Sequence, residues 1–126
     1  MRTVLIVLIG LALSCCTNHI YLTVDTQPPA AEIWAYGKYY GRAPVSMMWP
    51  VTPENHARGF MVTENIMAKW LSGATNSSTV KIPMVPNVEH PFWLYRDNSP
   101  GHEKDAIFGE QIVGRRNAER IADKQA

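Results

Sequence analysis

Histidines and cysteines are the residue types in this chain that most often bind metals or act in catalysis. The four histidines are far apart in sequence: His19, His56, His90 and His102. No two of them share the ligand spacing of a zinc site, and none pairs with a cysteine in such a pattern. The sequence also has no Gly-x-Ser-x-Gly motif, no phosphate-binding loop and no cluster of carboxylates. We therefore expect no metal site, no cofactor and no catalytic residues.

Both cysteines follow a short apolar segment at the N-terminus. Arg2 precedes an apolar run over residues 4–13, and Cys15 and Cys16 come directly after it. Such a run has the length of a signal-peptide core and is too short to cross a bilayer, which needs about 20 helical residues. The arrangement resembles the lipobox of bacterial lipoproteins, in which an acylated cysteine becomes the new N-terminus. The resemblance implies a signal peptide over residues 1–14 and an acylated linker over residues 15–19.

Cys15 is the expected acylation site, and Cys16 is the alternative. A lipobox has a small residue directly before its cysteine and an aliphatic residue three positions before it. Cys15 has Ser14 and Ala12 at these positions, whereas Cys16 has Cys15 and Leu13. We prefer Cys15 because the small residue beside the cleaved bond is the stricter steric demand. An ordinary secretory signal and an uncleaved anchor are the other interpretations of this segment.

The net charge and the residue after the acylated cysteine indicate which partners and which membrane to expect. The full chain has 12 Lys and Arg residues and 11 Asp and Glu residues. Removal of the predicted signal peptide would remove Arg2, so the mature chain would have equal numbers of basic and acidic residues. A net charge near zero argues against a nucleic-acid partner, which requires a basic face. Cys16 would be the second mature residue, and it is not the Asp that retains lipoproteins at the inner membrane. By analogy, we expect a lipid-anchored protein of the bacterial cell envelope, at the outer membrane.

Aromatic side chains form the candidate binding surface. Four of them surround the first predicted hairpin: Trp34, Tyr36, Tyr39 and Tyr40. Trp34 and Tyr36 alternate with Ile33 along a predicted strand, so they are exposed if Ile33 is buried. One interpretation is a stacking surface for peptidoglycan or another glycan, and another is a contact with an envelope protein. Four later aromatics are expected to fill and flank the core: Trp49, Trp70, Trp93 and Tyr95.

Apolar residues that alternate with polar ones predict a mainly β fold up to residue 100. The predicted strands cover residues 20–25, 31–36, 38–41, 45–49, 60–62, 66–71, 79–85 and 91–96. Residues 52–57 are polar and contain Pro53, so we predict a loop there, and residues 72–78 form a turn-rich connector. A helical pattern follows over residues 101–126, and we expect this helix to pack weakly on the domain. Its predicted apolar stripe consists of Ile107, Phe108, Ile112, Val113 and Ile121.

The stretch from Val24 to Phe60 resembles the PEGA domain, a small β module of bacterial surface proteins and lipoproteins. The residues that carry the resemblance are Pro28, Gly37, Gly41 and Pro44, together with the Gly-Phe pair at 59 and 60. Gly37 would turn a hairpin, Gly41 would allow a bulge, and Pro44 would start a strand. Ala30 stands where the family has glycine and disfavours a positive φ, and Ala43 replaces the usual threonine.

The PEGA resemblance implies a small antiparallel β-sandwich over residues 20–60. We expect further strands of the same domain over residues 61–100 and a C-terminal helix over residues 101–126. The sequence thus predicts a membrane-anchored lipoprotein whose non-catalytic β domain binds or supports other envelope proteins or peptidoglycan. The alternatives are a subunit of an envelope secretion or surface assembly, with Trp34 and Tyr36 at its contact, and a small envelope enzyme or inhibitor.

Overall fold

A computed structural model describes residues 18–125 of the chain. The predicted signal peptide lies outside these residues, as do Cys15, the expected acylation site, and Cys16, its alternative. The described part contains nine strands and two helices. In chain order they are β1 (His19–Gln27), β2 (Glu32–Ala35), β3 (Lys38–Arg42), β4 (Val45–Pro50), α1 (Pro53–Arg58), β5 (Phe60–Val62), β6 (Ile66–Lys69), β7 (Thr75–Ser78), β8 (Lys81–Pro83), β9 (Glu89–Tyr95) and α2 (His102–Gln125).

Two main sheets and one small sheet confirm the predicted mainly β architecture with a C-terminal helix. The strand orders are β4-β1-β9 in one main sheet, β3-β2-β6-β7 in the other, and β5-β8 in the small sheet. All pairs are antiparallel except β1 and β9, which run parallel. The parallel pair departs from the purely antiparallel sandwich that we predicted. Strands β2 to β8 lie between β1 and β9 in the chain. After them the chain is back at the end where β1 starts, so β9 runs in the same direction as β1.

Alternating side chains from the two main sheets build one core between them. In β1, Ile20, Leu22 and Val24 are buried while their neighbours in sequence are partly exposed. Ile33 of β2 and Ile66 of β6 are also fully buried in the same cluster. Each such aliphatic side chain stabilises the fold by about 1.5–3 kcal/mol relative to an exposed position. The alternation that predicted β1 and β2 therefore follows directly from this shared interior.

The domain has two distinct ends. At the end where β1 begins, which we call the N-terminal end, His19 pairs with Pro50, and its carbonyl accepts a hydrogen bond from the N–H of Asn87. At the end where β1 finishes, which we call the helix end, Gln27 pairs with Tyr95. Helix α2 packs at this second end, and the two ends are therefore separated by the length of β1.

The first hairpin has the turn and the bulge that the PEGA resemblance implied. Gly37 has a φ of 71°, which supplies the left-handed turn between β2 and β3. The register then shifts so that Ile33 lies opposite Gly41 while Trp34 lies opposite Tyr39. This leaves Tyr40 as the extra residue of a bulge. Pro28 and Pro44 both follow cis peptide bonds at the helix end, and Ala30 adopts a φ of 67° despite its Cβ.

The loop predicted for residues 52–57 is wrong, because a short helix forms there. The hydroxyl of Thr52 accepts a hydrogen bond from the N–H of Asn55 at 3.2 Å, so Thr52 caps α1. Pro53 occupies the first turn, where its missing N–H costs nothing. Proline therefore marks the start of a helix here rather than a loop.

The connector predicted over residues 72–78 is also partly wrong. Residues 75–78 form β7, an edge strand that pairs with β6. All four residues of β7 are polar and its exposed side chains face solvent, so no apolar alternation marks it in the sequence. The strand predicted over residues 79–85 is correspondingly reduced to the three residues of β8.

Helix α2 packs on the domain through a face that includes only part of the predicted apolar stripe, namely Phe108 and Ile112. Asp105 and Gly109 are buried, and Ile112 and Arg116 are half-buried, so the packed face recurs at helical spacing. Three residues of the predicted apolar stripe are exposed: Ile107, Val113 and Ile121. A charged residue and a glycine thus form the centre of the contact, where we had expected aliphatic side chains.

Candidate functional site

Three of the four predicted surface aromatics come together around the first hairpin. We call Trp34, Tyr36 and Tyr39 the hairpin cluster, and their exposed fractions are 37%, 38% and 47%. Trp34 and Tyr39 lie opposite each other on β2 and β3, with ring centroids 5.0 Å apart and ring planes tilted by 40°. Ile33 behind them is fully buried. The exposure that we inferred from alternation with Ile33 is therefore confirmed.

Tyr36 fixes the hairpin cluster to the rest of the domain. It follows the last residue of β2 and has a φ of 51°, so it belongs to the turn rather than to the predicted strand. Its hydroxyl accepts a hydrogen bond from the N–H of Glu64 at 3.2 Å, and its ring centroid lies 6.1 Å from that of Trp49. An open depression of about 490 Å³ lies beside it, lined by Trp34, Lys38, Glu64 and their neighbours.

Tyr40 is separated from the hairpin cluster. As the bulge residue it is half-buried against the core, and the ammonium of Lys38 lies 4.6 Å from its ring centroid. Such a cation–π contact keeps the ammonium of Lys38 on the Tyr40 ring. Tyr40 therefore supports the hairpin from within, while Trp34, Tyr36 and Tyr39 present aromatic surface to solvent.

A second aromatic surface lies on β9, where we had predicted aromatics that fill and flank the core. Trp93 and Tyr95, which we call the strand pair, have exposed fractions of 45% and 61%. Their ring centroids are 6.4 Å apart, and their planes differ by only 24°. Leu94 between them is buried, so the same alternation that identified Trp34 and Tyr36 could have identified this pair.

A buried ion pair at the helix end fastens α2 to the sheets. The side chains of Arg96 and Asp105 are both fully buried, and Nε of Arg96 donates to Oδ2 of Asp105 at 2.6 Å. Ser72 donates to the same carboxylate from its backbone N–H at 2.8 Å and from its hydroxyl at 2.6 Å. The remaining guanidinium nitrogens donate to the carbonyls of Asp97, Ser99 and Pro100 at 2.7–2.8 Å.

Hydrogen bonding decides the protonation of Asp105. Burial raises the pKa of this carboxyl. The hydrogen bonds from Ser72 and Arg96, together with the charge of Arg96, lower the pKa by more than burial raises it. The net effect is a pKa below the ordinary value of 3.8, so the carboxylate stays ionised opposite Arg96. Neither residue was predicted as important, because single charges separated in sequence give no motif.

The described residues also show whether a group of metal-binding side chains or a membrane-spanning helix is present among them. Between residues 18 and 125, no three His, Cys, Asp or Glu side chains are grouped closely enough to hold a metal ion. No helix in the described part of the chain has the length and apolar character needed to cross a bilayer.

Comparison with known proteins gives no match. No protein-family model matches this chain, and neither a curated protein nor a solved structure is significantly similar to it. The resemblance to the PEGA domain therefore stays a prediction that rests on the residues quoted for it.

Proposed function

We propose that this chain is a membrane-anchored bacterial lipoprotein whose β domain binds or supports another component of the cell envelope without catalysis. The N-terminal segment supports the anchor, because an apolar run of signal-peptide length ends at Cys15 and Cys16. Strand β1 begins only a few residues later, at His19. The domain would therefore be held close to the membrane, at its outer-membrane location in the envelope.

The strand pair is the single observation that carries the binding role. Two nearly parallel, exposed rings project from β9 on either side of Leu94, which is buried in the core and fixes this part of the strand. Flat aromatic surfaces of this kind stack on the apolar faces of sugar rings. Trp93 lies opposite Asp25 on β1, about 20 Å along the strand from His19 at 3.3 Å per residue. It would thus remain accessible to peptidoglycan on an anchored domain.

Fatty-acid labelling tests the anchor. Cells that express the full chain and are fed a labelled fatty acid should yield a mature protein that carries the label and lacks residues 1–14. Cys15→Ser should abolish both processing and label, whereas Cys16→Ser should retain them. Retention of the label in Cys15→Ser and its loss in Cys16→Ser would move the anchor to Cys16. An unlabelled parent protein would contradict the anchor altogether.

Retention on purified peptidoglycan tests the binding role. Trp93→Ala in the full lipoprotein should weaken retention about 2- to 10-fold, since an aromatic stacking contact contributes about 0.5–1.5 kcal/mol. The matched control is Trp34→Ala, which removes an equally large, similarly exposed ring from the other sheet and should leave retention unchanged. Equal retention by the parent protein and Trp93→Ala would contradict binding through the strand pair.

A subunit of an envelope assembly is the second candidate, and the outer face of α2 favours it. Ile107 of this helix and Leu71 are both exposed, and they line one open depression together with Phe108 at the helix end. Exposed apolar side chains that lie together in this way are typical of protein contacts. Co-purification of defined partner proteins in mild detergent, with peptidoglycan retention indifferent to Trp93, would support this second function over the first.

A further inference from the structure

We propose that the hairpin cluster lies against the lipid headgroups of the anchoring membrane, so that this end of the domain is a bilayer contact. The inference rests on the proposed lipid anchor and adds an orientation to it. It assigns different partners to the two aromatic surfaces, with lipid for the hairpin cluster and an envelope component for the strand pair.

The length of chain between the proposed anchor and the domain limits the distance to the membrane. Cys15 and Asn18 are three residues apart in sequence. Even fully extended, three residues span at most about 11 Å. The carbonyl of Asn18 already accepts a hydrogen bond from Val51, and that of His19 accepts one from Asn87. The N-terminal end of the domain is therefore fixed within reach of the headgroups.

The hairpin cluster lies at this same end. Strand β2 begins beside the helix end, where the N–H of Ala43 donates to the carbonyl of Ala31 at 2.8 Å. The strand then runs toward the N-terminal end and places Tyr36 at the turn. There the ring of Tyr36 packs on Trp49, which pairs with Ile20, the second residue of β1. The tip of the hairpin and the start of β1 thus lie close together.

The side chains at this end have the chemistry of a bilayer interface. Tryptophan and tyrosine combine an apolar ring with a polar tip, and they are enriched at the level of lipid headgroups. Lys38 at the hairpin tip is exposed, and its ammonium over the Tyr40 ring adds a positive charge at this end that attracts lipid phosphates. Val85 and Val88, on either side of Asn87, add exposed apolar surface at the same end.

Lipid explains the hairpin cluster better than a glycan does. Trp34 and Tyr39 are tilted by 40°, so they do not form a flat platform for a sugar ring. The depression beside them is open, has a mostly apolar surface, and lies at the tip of the hairpin, at the same end of the domain as the proposed anchor. A long glycan would have to enter between the domain and the headgroups. The rings of the strand pair, in contrast, are nearly parallel and remote from this end.

Quenching of tryptophan fluorescence by brominated lipid tests the orientation. The full acylated protein is incorporated into vesicles of phosphatidylethanolamine and phosphatidylglycerol whose acyl chains carry bromine near the headgroup. Trp34→Phe should show a smaller quenched fraction than the parent protein, because it lacks an emitter in contact with lipid. Trp93→Phe should show a larger quenched fraction, because it lacks an emitter far from lipid. Circular dichroism confirms that each variant is folded.

The outcomes separate the orientation from the anchor. Quenched fractions that are the same in the parent protein and in Trp34→Phe, with the protein acylated and bound to the vesicles, would overturn the orientation alone. A response of Trp34 emission to soluble muropeptides and not to brominated lipid would replace lipid with glycan at this surface. Failure of the protein to carry a fatty acid and to float with the vesicles would overturn the anchor and the orientation together.

Discussion

Asp105→Ala should lower the free energy of unfolding by about 3–5 kcal/mol, because it leaves the fully buried charge of Arg96 without its partner. The change also leaves both donors of Ser72 without their acceptor. Because α2 is fastened at this point, we expect its packing against the sheets to weaken at the same time. Urea unfolding followed by circular dichroism measures the loss.

Asp97→Ala is the matched control, because Asp97 faces the same arginine from the surface. Its carboxylate lies 3.6 Å from Arg96, and its side chain is 72% exposed. Exposed ion pairs contribute little to stability. We therefore expect a far smaller loss for Asp97→Ala than for Asp105→Ala. Equal losses in the two variants would show that burial does not decide the strength of this contact.

The carboxylate of Asp105 makes the free energy of unfolding sensitive to acid. Since the pKa of Asp105 in the folded protein lies below its ordinary value of 3.8, its stabilisation is fully present above that pH. The stabilisation is lost as the pH falls from about 4 through the lower pKa of the folded state. In Asp105→Asn the free energy of unfolding should fall less steeply over this range. If the free energy of unfolding fell equally steeply with pH in the parent protein and in Asp105→Asn, Asp105 would not be the source of the acid sensitivity.

Gly109→Ala should destabilise the protein by about 1–3 kcal/mol, the usual cost of forcing an extra carbon into a packed contact. A Cβ at position 109 would overlap the carbonyl oxygen of Pro29 and come within 3.0 Å of its ring. The obstacle includes backbone, so α2 would have to move away from the helix end. Thermal unfolding measures the effect on the whole domain.

Gly114→Ala provides the opposite result on the same helix. Nothing lies within 4 Å of a Cβ built at Gly114, so alanine meets no obstacle there. Alanine is about 1 kcal/mol better than glycine in a helix interior, and we expect Gly114→Ala to stabilise α2 by up to that amount. Changes of the same sign in the two variants would contradict the close packing of Gly109 on Pro29.

The strands with one buried face could be predicted from the sequence, whereas the packing of α2 could not. In β1 and β2 the alternation of apolar residues is produced by the core itself. The face of α2 that packs on the sheets is centred on Asp105 and Gly109, residue types that an apolar pattern does not count. Their partners, Arg96, Ser72 and Pro29, come from three separate parts of the chain, so no local signal marks the contact.

The candidate surfaces show a similar limit. Alternation with a buried residue predicted exposure for Trp34 and Tyr36, and the same alternation surrounds Leu94 in β9. The sequence thus carried the signal for the strand pair as well, and the exposed fractions of Trp93 and Tyr95 show that their side of β9 is uncovered. Similarly, the position of the hairpin tip beside the start of β1 depends on the contact of Tyr36, in the turn between β2 and β3, with Trp49 of β4 in the other main sheet.

The parallel pairing of β1 with β9 determines the order in which the molecule can be completed. Strand β1 is central in its sheet, yet one of its two neighbours is the last strand before α2. Until β9 is in place, one edge of this deeply buried strand stays open, and unpaired edges of this kind recruit other chains. Closing so long a loop also slows folding. The sheet around β1 can thus be completed only when the segment that forms β9 is available to pair with it.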